Sequence, residues 1–212
     1  MSAIDLDRFN ATPLLRDPYD HLIVPGFLRP DAVAQIDRDY PPIENPGSFP
    51  LETLTPGPAF EHFLEELRGP VVCQAFSEKF ATDLAPYPTT ITVRGHCQEK
   101  DGAIHTDTAS KILTVLVYMN TEALAGDGGR LRILRSKDDL NDYAAEVPPT
   151  AGTLLAFRRG EKSWHGHETF VGPRRVIQLN WVTDMAVVRR EQRRHRLSAW
   201  VKKIFYRGER RG

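Results

Sequence analysis

The stretch GAIHTDTASK contains two residues with the chemistry of metal ligands, His105 and Asp107. In an extended backbone, side chains alternate between two faces, so residues two apart point to the same side. An imidazole and a carboxylate at this spacing can occupy adjacent positions around one metal ion. A turn-forming aspartate beside a surface histidine gives the same triplet, so a third ligand is needed to indicate a metal site.

That third ligand is available in SWHGHETFVGPRRV, residues 163–176, which contains His165 and His167 and then Arg174 and Arg175. Two histidines and one carboxylate form a ligand face that leaves positions open on iron(II) for a cosubstrate and oxygen. The planar fork of an arginine binds a carboxylate through two hydrogen bonds. Together these residue types are what oxidation driven by a 2-oxo acid requires. His165 and His167 would point to the same side of a strand, so alternation does not choose between them.

The elements that must position these residues change character along the chain. Residues 1–86 predict a short strand and several helices, with apolar residues at helical spacing and proline or glycine at the stops. Residues 87–184 read as about six to eight strands separated by turn-like stretches such as AGDGG and VPPTAG. We therefore expect one domain over residues 1–188, with helical support packed on a β core, because 212 residues suit a single core.

Several segments resemble the iron(II)/2-oxoglutarate-dependent dioxygenases, in particular the group similar to prolyl 4-hydroxylases. The segments that carry the resemblance are YDHLIVPGFLRPDAVAQI, GAIHTD, KILTVLVYMN, GGRLRIL, GTLLAF, WHGHETFVGPRR and IQLNW. They cover most of residues 19–182. The resemblance implies a mostly β fold, a double-stranded β-helix or jelly-roll barrel with supporting helices. It also implies iron(II) as cofactor, 2-oxoglutarate and oxygen as cosubstrates, and hydroxylation of a C–H bond with release of succinate and carbon dioxide.

The resemblance also implies roles for single residues. In this family the basic residue that binds 2-oxoglutarate follows the second histidine by about ten positions, which selects His165 as a ligand with His105 and Asp107. The same spacing selects Arg175 for the cosubstrate, and Arg175 shares a strand face with Ile177, Leu179 and Trp181. His167 is then expected near the ligands or at the substrate mouth. Arg174 is expected to point outward, to solvent or a partner.

Four further residues are pocket candidates: Arg94, His96, Tyr118 and Trp181. Arg94 and His96 share one face of the strand that leads to His105, and an exposed strand face is the alternative. Tyr118 ends the apolar strand, where the resembling enzymes place a contact to 2-oxoglutarate. Trp181 matches an inward tryptophan of the family.

The last segment, residues 189–212, has ten basic and two acidic residues and so a charge of +8, which leaves −8 on the rest of this neutral chain. Its apolar residues Leu197, Trp200, Val201, Ile204 and Phe205 fall at helical spacing. Such a tail could lie on an anionic membrane surface, or its stripe could dock on the barrel or a second subunit. Nucleic acid ranks lower as a partner because no recognition motif is present.

Other features set the broad class. No apolar run is long enough for a membrane span, and the N-terminus lacks a signal-peptide layout, so we expect a cytoplasmic protein, with the tail as a route to the inner membrane surface. Cys73 and Cys97 form no zinc-ribbon or disulfide pattern. The alternatives left open are a non-enzymatic barrel anchored by its tail and a zinc-dependent hydrolase with the same ligands. The substrate, whether a small molecule, a peptide or a glycan, does not follow from the sequence.

Overall fold

The structure is a computed structural model that describes residues 2–122, 124 and 128–189. The helices are α1 (Leu6–Ala11), α2 (Pro30–Arg38), α3 (Pro58–Leu67) and α4 (Pro70–Lys79), with a 3-10 turn at Leu51–Thr53. The strands are β1 (His21–Val24), β2 (Phe49–Pro50), β3 (Thr89–Cys97), β4 (Lys111–Tyr118), β5 (Arg132–Leu134), β6 (Tyr143–Glu146), β7 (Leu154–Arg158), β8 (His165–Gly166) and β9 (Gly172–Val182). The basic tail predicted over residues 189–212 lies outside the described residues except for Arg189.

The helices begin where the sequence places proline. Pro30, Pro58 and Pro70 each stand at the start of a helix, where the missing N–H costs no hydrogen bond. Helix α3 then buries Phe60, Phe63, Leu64 and Leu67, one face of a 3.6-residue period. The prediction of helices before residue 86 is therefore confirmed for the described residues.

The nine strands form two antiparallel sheets. The major sheet has six strands in the order β1-β7-β4-β9-β3-β2, and the minor sheet has three in the order β6-β5-β8. Long strand β9 lies between β3 and β4 and pairs with both, for example Ile177 with Val93 and with Val117. β9 is therefore an interior strand of the major sheet, and most of its side chains from Val176 onward are buried.

The two faces of the major sheet pack against different layers. Ile177, Leu179 and Trp181 of β9 lie in the larger core, which includes the buried faces of the helices. Val176 points the other way, into a second core shared with Leu131 and Ile133 from the minor-sheet side. Both faces are covered, which explains why KILTVLVY reads as a nearly continuous apolar run.

The predicted barrel is confirmed only as a mostly β architecture with helices on one side. Among the described residues, the two sheets face each other through side chains and isolated bridges, and no closed barrel forms. Within residues 2–189 as described, none of the helices combines the length and the apolar character that crossing a membrane requires.

Candidate metal centre

Two backbone hydrogen bonds hold the histidines of the candidate site side by side. His105 N–H donates to the His165 carbonyl and His165 N–H donates to the His105 carbonyl, each with an N–O distance of 3.0 Å. This reciprocal pair is the tight form of an antiparallel bridge, and it sets the two rings with centroids 4.3 Å apart. Asp107 completes the group, and one ligand atom from each of His105, Asp107 and His165 lies within 4.8 Å of the other two.

The two imidazoles are oriented for metal binding through the same ring nitrogen. His105 Nδ1 lies 2.8 Å from the Ala103 carbonyl oxygen, and His165 Nδ1 lies 2.9 Å from that of Ser163. A carbonyl oxygen only accepts, so each Nδ1 carries a proton, and in the neutral ring Nε2 is the nitrogen with the free lone pair. Burial, the neighbouring His105 and Lys111 lower the pKa of His165 to about 4, against the opposing charge of Asp107. His165 is thus neutral near pH 7, the form that binds metals.

Asp107 is a buried carboxylate with a donor on each oxygen. Lys111 Nζ lies 2.6 Å from Oδ1, and the Thr114 hydroxyl donates to Oδ2 at 2.5 Å. Burial on its own raises the pKa of Asp107, but the charges of Lys111 and His165 and these two hydrogen bonds together hold it below its ordinary value. An ionised carboxylate beside two imidazole nitrogens is the donor set that non-haem iron(II) prefers.

The three residues line a cavity of about 380 Å³ between the two sheets. Its walls are apolar where Leu116, Leu131, Phe157 and Val176 contribute. Besides the three candidate ligands, the other side chains in the wall are polar or charged: Arg94, Lys100, Asp101, Lys111, Thr114, His167, Arg174 and Gln178. The cavity has the size and the mixed lining typical of a small-molecule site.

Arg174 is the buried cation of this cavity. Only 4% of the residue is exposed, its Nε donates to the Gly129 carbonyl at 2.7 Å, and its guanidinium lies 5.4 Å from the centre of the Tyr118 ring. Among the described residues no carboxylate pairs with it. The Tyr118 hydroxyl is also buried without a hydrogen-bond partner in the described part of the chain, and burial raises the pKa of Tyr118. A carboxylate bound in the cavity would give Arg174 the anionic partner that it lacks among the described residues.

The predicted position of Arg175 is wrong. Its side chain lies on the helix side of the major sheet, where it pairs with Asp37 of α2 at 2.6 Å and lies over the Tyr40 ring at 5.0 Å. Alternation along β9 does put Arg175 on one face with Ile177 and Trp181, as predicted, but that face packs on the helices. Arg174, predicted to point outward, is the arginine on the cavity side.

Of the remaining pocket candidates, some line the cavity and others lie outside it. Arg94 lines the cavity and pairs with Asp101 at 2.8 Å, and His167 lines it too. The position predicted for His96 is wrong, because the register of β3 against β9 shifts between Arg94 and His96, which breaks the alternation. His96 Nδ1 instead contacts the Ile43 carbonyl at 2.8 Å.

Trp181 is also outside the cavity, so its predicted position is wrong as well. It is 2% exposed and packs against Phe76 of α4, with ring centroids 5.4 Å apart. The physical reason is the one that applies to Arg175, since both residues share the helix-side face of β9.

A polar network behind Asp107 was not singled out from the sequence. Thr114 lies 3.2 Å from Asn180 Oδ1, Gln178 Nε2 donates to the same oxygen at 3.0 Å, and Asn180 Nδ2 donates to Thr90 Oγ1 at 3.2 Å. The signal was present as polar residues at period two, Arg174, Gln178 and Asn180, inside an apolar strand. That spacing marks the cavity face of β9.

Comparison with known proteins agrees with this geometry. Residues 92–183 match the family model described as the 2OG-Fe(II) oxygenase superfamily. No curated protein matches the chain by sequence.

Three solved structures share the fold at low sequence identity. A prolyl-4-hydroxylase from Pseudomonas putida is 16% identical with a TM-score of 0.54, over 87% of this chain and 96% of its own. An oxidoreductase of the 2OG-Fe(II) oxygenase family from Burkholderia pseudomallei is 14% identical with a TM-score of 0.53, over 76% and 84%. The 2OG complex of a viral collagen prolyl hydroxylase from Paramecium Bursaria Chlorella virus-1 is 15% identical with a TM-score of 0.53, over 79% and 98%.

These similarities show that the chain shares the fold of the three solved structures. The 2OG-Fe(II) oxygenases that have this fold are described as jelly rolls. Residues 92–183 are thus similar to the 2OG-Fe(II) oxygenase superfamily, a family that implies iron(II), 2-oxoglutarate and oxygen, and a cluster of two histidines and one aspartate is present in this range.

Proposed function

We propose that this protein is a hydroxylase that uses iron(II) and 2-oxoglutarate to oxidise a C–H bond of a second substrate, with release of succinate and carbon dioxide. The observation that supports it most strongly is that one cavity contains both a candidate metal site and a buried, unpaired arginine. A cluster of two histidines and one carboxylate faces the same space as Arg174, a buried arginine with no carboxylate partner among the described residues. Burying an unpaired charge is costly, so its natural partner is an anionic ligand.

In this proposal His105, Asp107 and His165 hold the metal. When bound, iron(II) with 2-oxoglutarate and oxygen supplies the oxidising power for hydroxylation. Arg174 binds the distal carboxylate of 2-oxoglutarate through its guanidinium, and the Tyr118 hydroxyl donates a second hydrogen bond to that carboxylate. The protein also excludes water from the site, because the apolar side chains of Leu116, Phe157 and Val176 line the cavity that the metal ligands share with Arg174.

Arg174 also favours this function over a zinc hydrolase with the same ligands. The three ligands and a metal-activated water are sufficient for a hydrolase, so that function leaves the unpaired Arg174 unexplained. A 2-oxo acid with a second carboxylate needs both features at once.

The test is anaerobic addition of iron(II) and 2-oxoglutarate, followed by the visible metal-to-ligand charge-transfer band. We expect the band in the wild type and in His167→Ala, and its loss in His105→Ala, Asp107→Ala and His165→Ala. Arg174→Met should need about 10- to 100-fold more 2-oxoglutarate, because one charge-assisted hydrogen bond contributes roughly 1.5–3 kcal/mol.

Arg175→Met is the matched control, since it removes the same charge one position away. Its 2-oxoglutarate affinity should equal that of the wild type. A wild type that is folded, as judged by circular dichroism, and shows no band with iron in excess would refute the proposed function. If Arg175→Met and not Arg174→Met lost affinity, the assignment of the cosubstrate site would be wrong.

The substrate and partners extend the same proposal. We expect a small-molecule, peptidyl or glycan substrate, identified by succinate formation above the substrate-free rate and by a gain of one oxygen atom in the product. A role for residues 189–212 at a membrane or partner surface stays a prediction.

A further inference from the structure

A lysine lies against the carboxylate of the candidate metal site. Lys111 Nζ is 2.6 Å from Asp107 Oδ1, and the two side chains are only 12% and 8% exposed. Removing both charges from water is costly, and the attraction between them offsets this cost only when the geometry is excellent. The question is therefore why a lysine, and not a neutral hydrogen-bond donor, lies beside Asp107.

The backbone holds Lys111 in this position. It begins β4, its N–H donates to the Thr108 carbonyl at 3.0 Å, and it lies opposite Val182 of β9. Asp107 is four residues earlier in the same turn. The lysine is thus attached to the sheet and reaches the carboxylate from a fixed point.

Orientation of the carboxylate does not by itself require a charge. Thr114 already donates to Asp107 Oδ2 at 2.5 Å, and Arg159 Nε donates to the main-chain carbonyl of Asp107 at 3.3 Å. A neutral donor such as glutamine on Oδ1 would complete the same geometry. Asp107 is also the sole acidic partner of Lys111 among the described residues.

We propose that Lys111 keeps the bound iron in its ferrous state, an inference that rests on the proposed function. Unproductive oxidation transfers one electron from iron(II) to oxygen and leaves iron(III), which carries one more positive charge. A nearby ammonium opposes that gain of charge by direct repulsion. It also withdraws electron density from Asp107 through the hydrogen bond, which makes the carboxylate a poorer donor to iron(III). Both effects raise the iron reduction potential.

The test compares Lys111→Met, Lys111→Gln and Lys111→Arg with the wild type. The iron midpoint potential is measured by redox titration, and the rate of iron(III) formation in air, without 2-oxoglutarate, is measured by electron paramagnetic resonance. We expect the potential to fall in Lys111→Met and in Lys111→Gln, and to stay near the wild-type value in Lys111→Arg. The rate of oxidation in air should rise severalfold in the two neutral variants.

Thr114→Val is the matched control, because it removes a hydrogen bond from the other oxygen of Asp107 without changing any charge. Its potential should fall less than that of Lys111→Met. If Lys111→Met folds poorly, the comparison of Lys111→Gln with Lys111→Arg still tests the proposal, since both variants retain a hydrogen-bond donor and differ in charge.

Two results would overturn the proposal while leaving the oxygenase function intact. One is an unchanged potential in Lys111→Gln with iron bound, which would mean that the hydrogen bond alone matters. The other is an equal fall in Lys111→Gln and Lys111→Arg. A wild type that binds no iron(II) would refute both this proposal and the proposed function.

Discussion

His165 and His167 illustrate how far neighbouring residues of the same type can differ. They are two positions apart and both line the cavity, yet His165 faces His105 and Asp107, whereas His167 lies near Arg174 and Arg94. Its Nδ1 lies 2.8 Å from the Glu168 carbonyl oxygen. Burial, together with the charges of Arg174 and Arg94, lowers the pKa of His167 to about 4.

This pKa predicts that the metal-free protein loses stability on acidification. Unfolded His167 takes up a proton near its ordinary pKa of about 6.5, whereas the folded form resists protonation down to about 4. The unfolded state therefore binds more protons in this window, and the free energy of unfolding falls as pH drops from 6.5 towards 4. At pH 5 the loss from His167 is on the order of 2 kcal/mol.

His167→Gln should make the decline between pH 7.5 and pH 5 shallower by that amount, as measured by urea unfolding with a chelator present. A residual slope from His165, whose pKa is lowered in the same direction, should persist. An unchanged slope in the variant would contradict the assignment of a buried neutral histidine.

At the scale of the element, strand β9 decides which arginine enters the cavity. It starts at Gly172, whose φ of 144° lies in the region that favours glycine, and it meets the register shift of β3 close to this start. Asn120, just after β4, fixes the strand here. Its Oδ1 accepts the Arg175 N–H at 2.7 Å and its Nδ2 donates to the Pro149 carbonyl at 2.6 Å.

Asn120→Ala should lower the free energy of unfolding by about 1–3 kcal/mol, because it leaves the Arg175 N–H without its acceptor. The affinity for 2-oxoglutarate should fall as well, since Arg174 is on the same stretch of backbone. Asn120→Asp retains the acceptor and should be milder in both respects. Urea unfolding and titration of the charge-transfer band measure the two effects, and equal losses in the two variants would argue against this role.

At the scale of the whole molecule, the major sheet separates a supporting layer, which contains the helices, from a layer that contains the candidate metal site. The helices and the larger core lie on one face, and the cavity and the minor sheet lie on the other. Trp181 and Arg175 belong to the supporting layer, so their substitution should affect stability without changing the site.

Trp181→Ala should lower the free energy of unfolding by about 3–5 kcal/mol, because it opens a cavity against Phe76. The molecules that remain folded should bind iron and 2-oxoglutarate with the wild-type affinity. Trp181→Phe should cost less stability. If either variant shifted the position of the charge-transfer band, the separation of the two layers would be in doubt.

The sequence by itself determined the residue types and their spacing. The pairing of His105 with Asp107, the helices before residue 86 and the strands after residue 88 follow from local patterns, because alternation and helical period act over a few residues. The choice of His165 over His167 came from the family resemblance, since alternation leaves both open. The same patterns showed that Arg175, Ile177 and Trp181 share a face.

Which layer that face meets was decided only by the tertiary structure. Both faces of β9 are largely buried, so alternation separates the two faces but does not say which one meets the helices and which one meets the cavity. The register shift between Arg94 and His96 likewise arises from pairing with β9, which is distant in sequence. The place of Lys111 beside Asp107 depends on the turn and the strand together. Most of these contacts join residues that are far apart in the chain, so local spacing does not predict them. For that reason only the tertiary structure shows that Arg174, and not Arg175, lines the cavity.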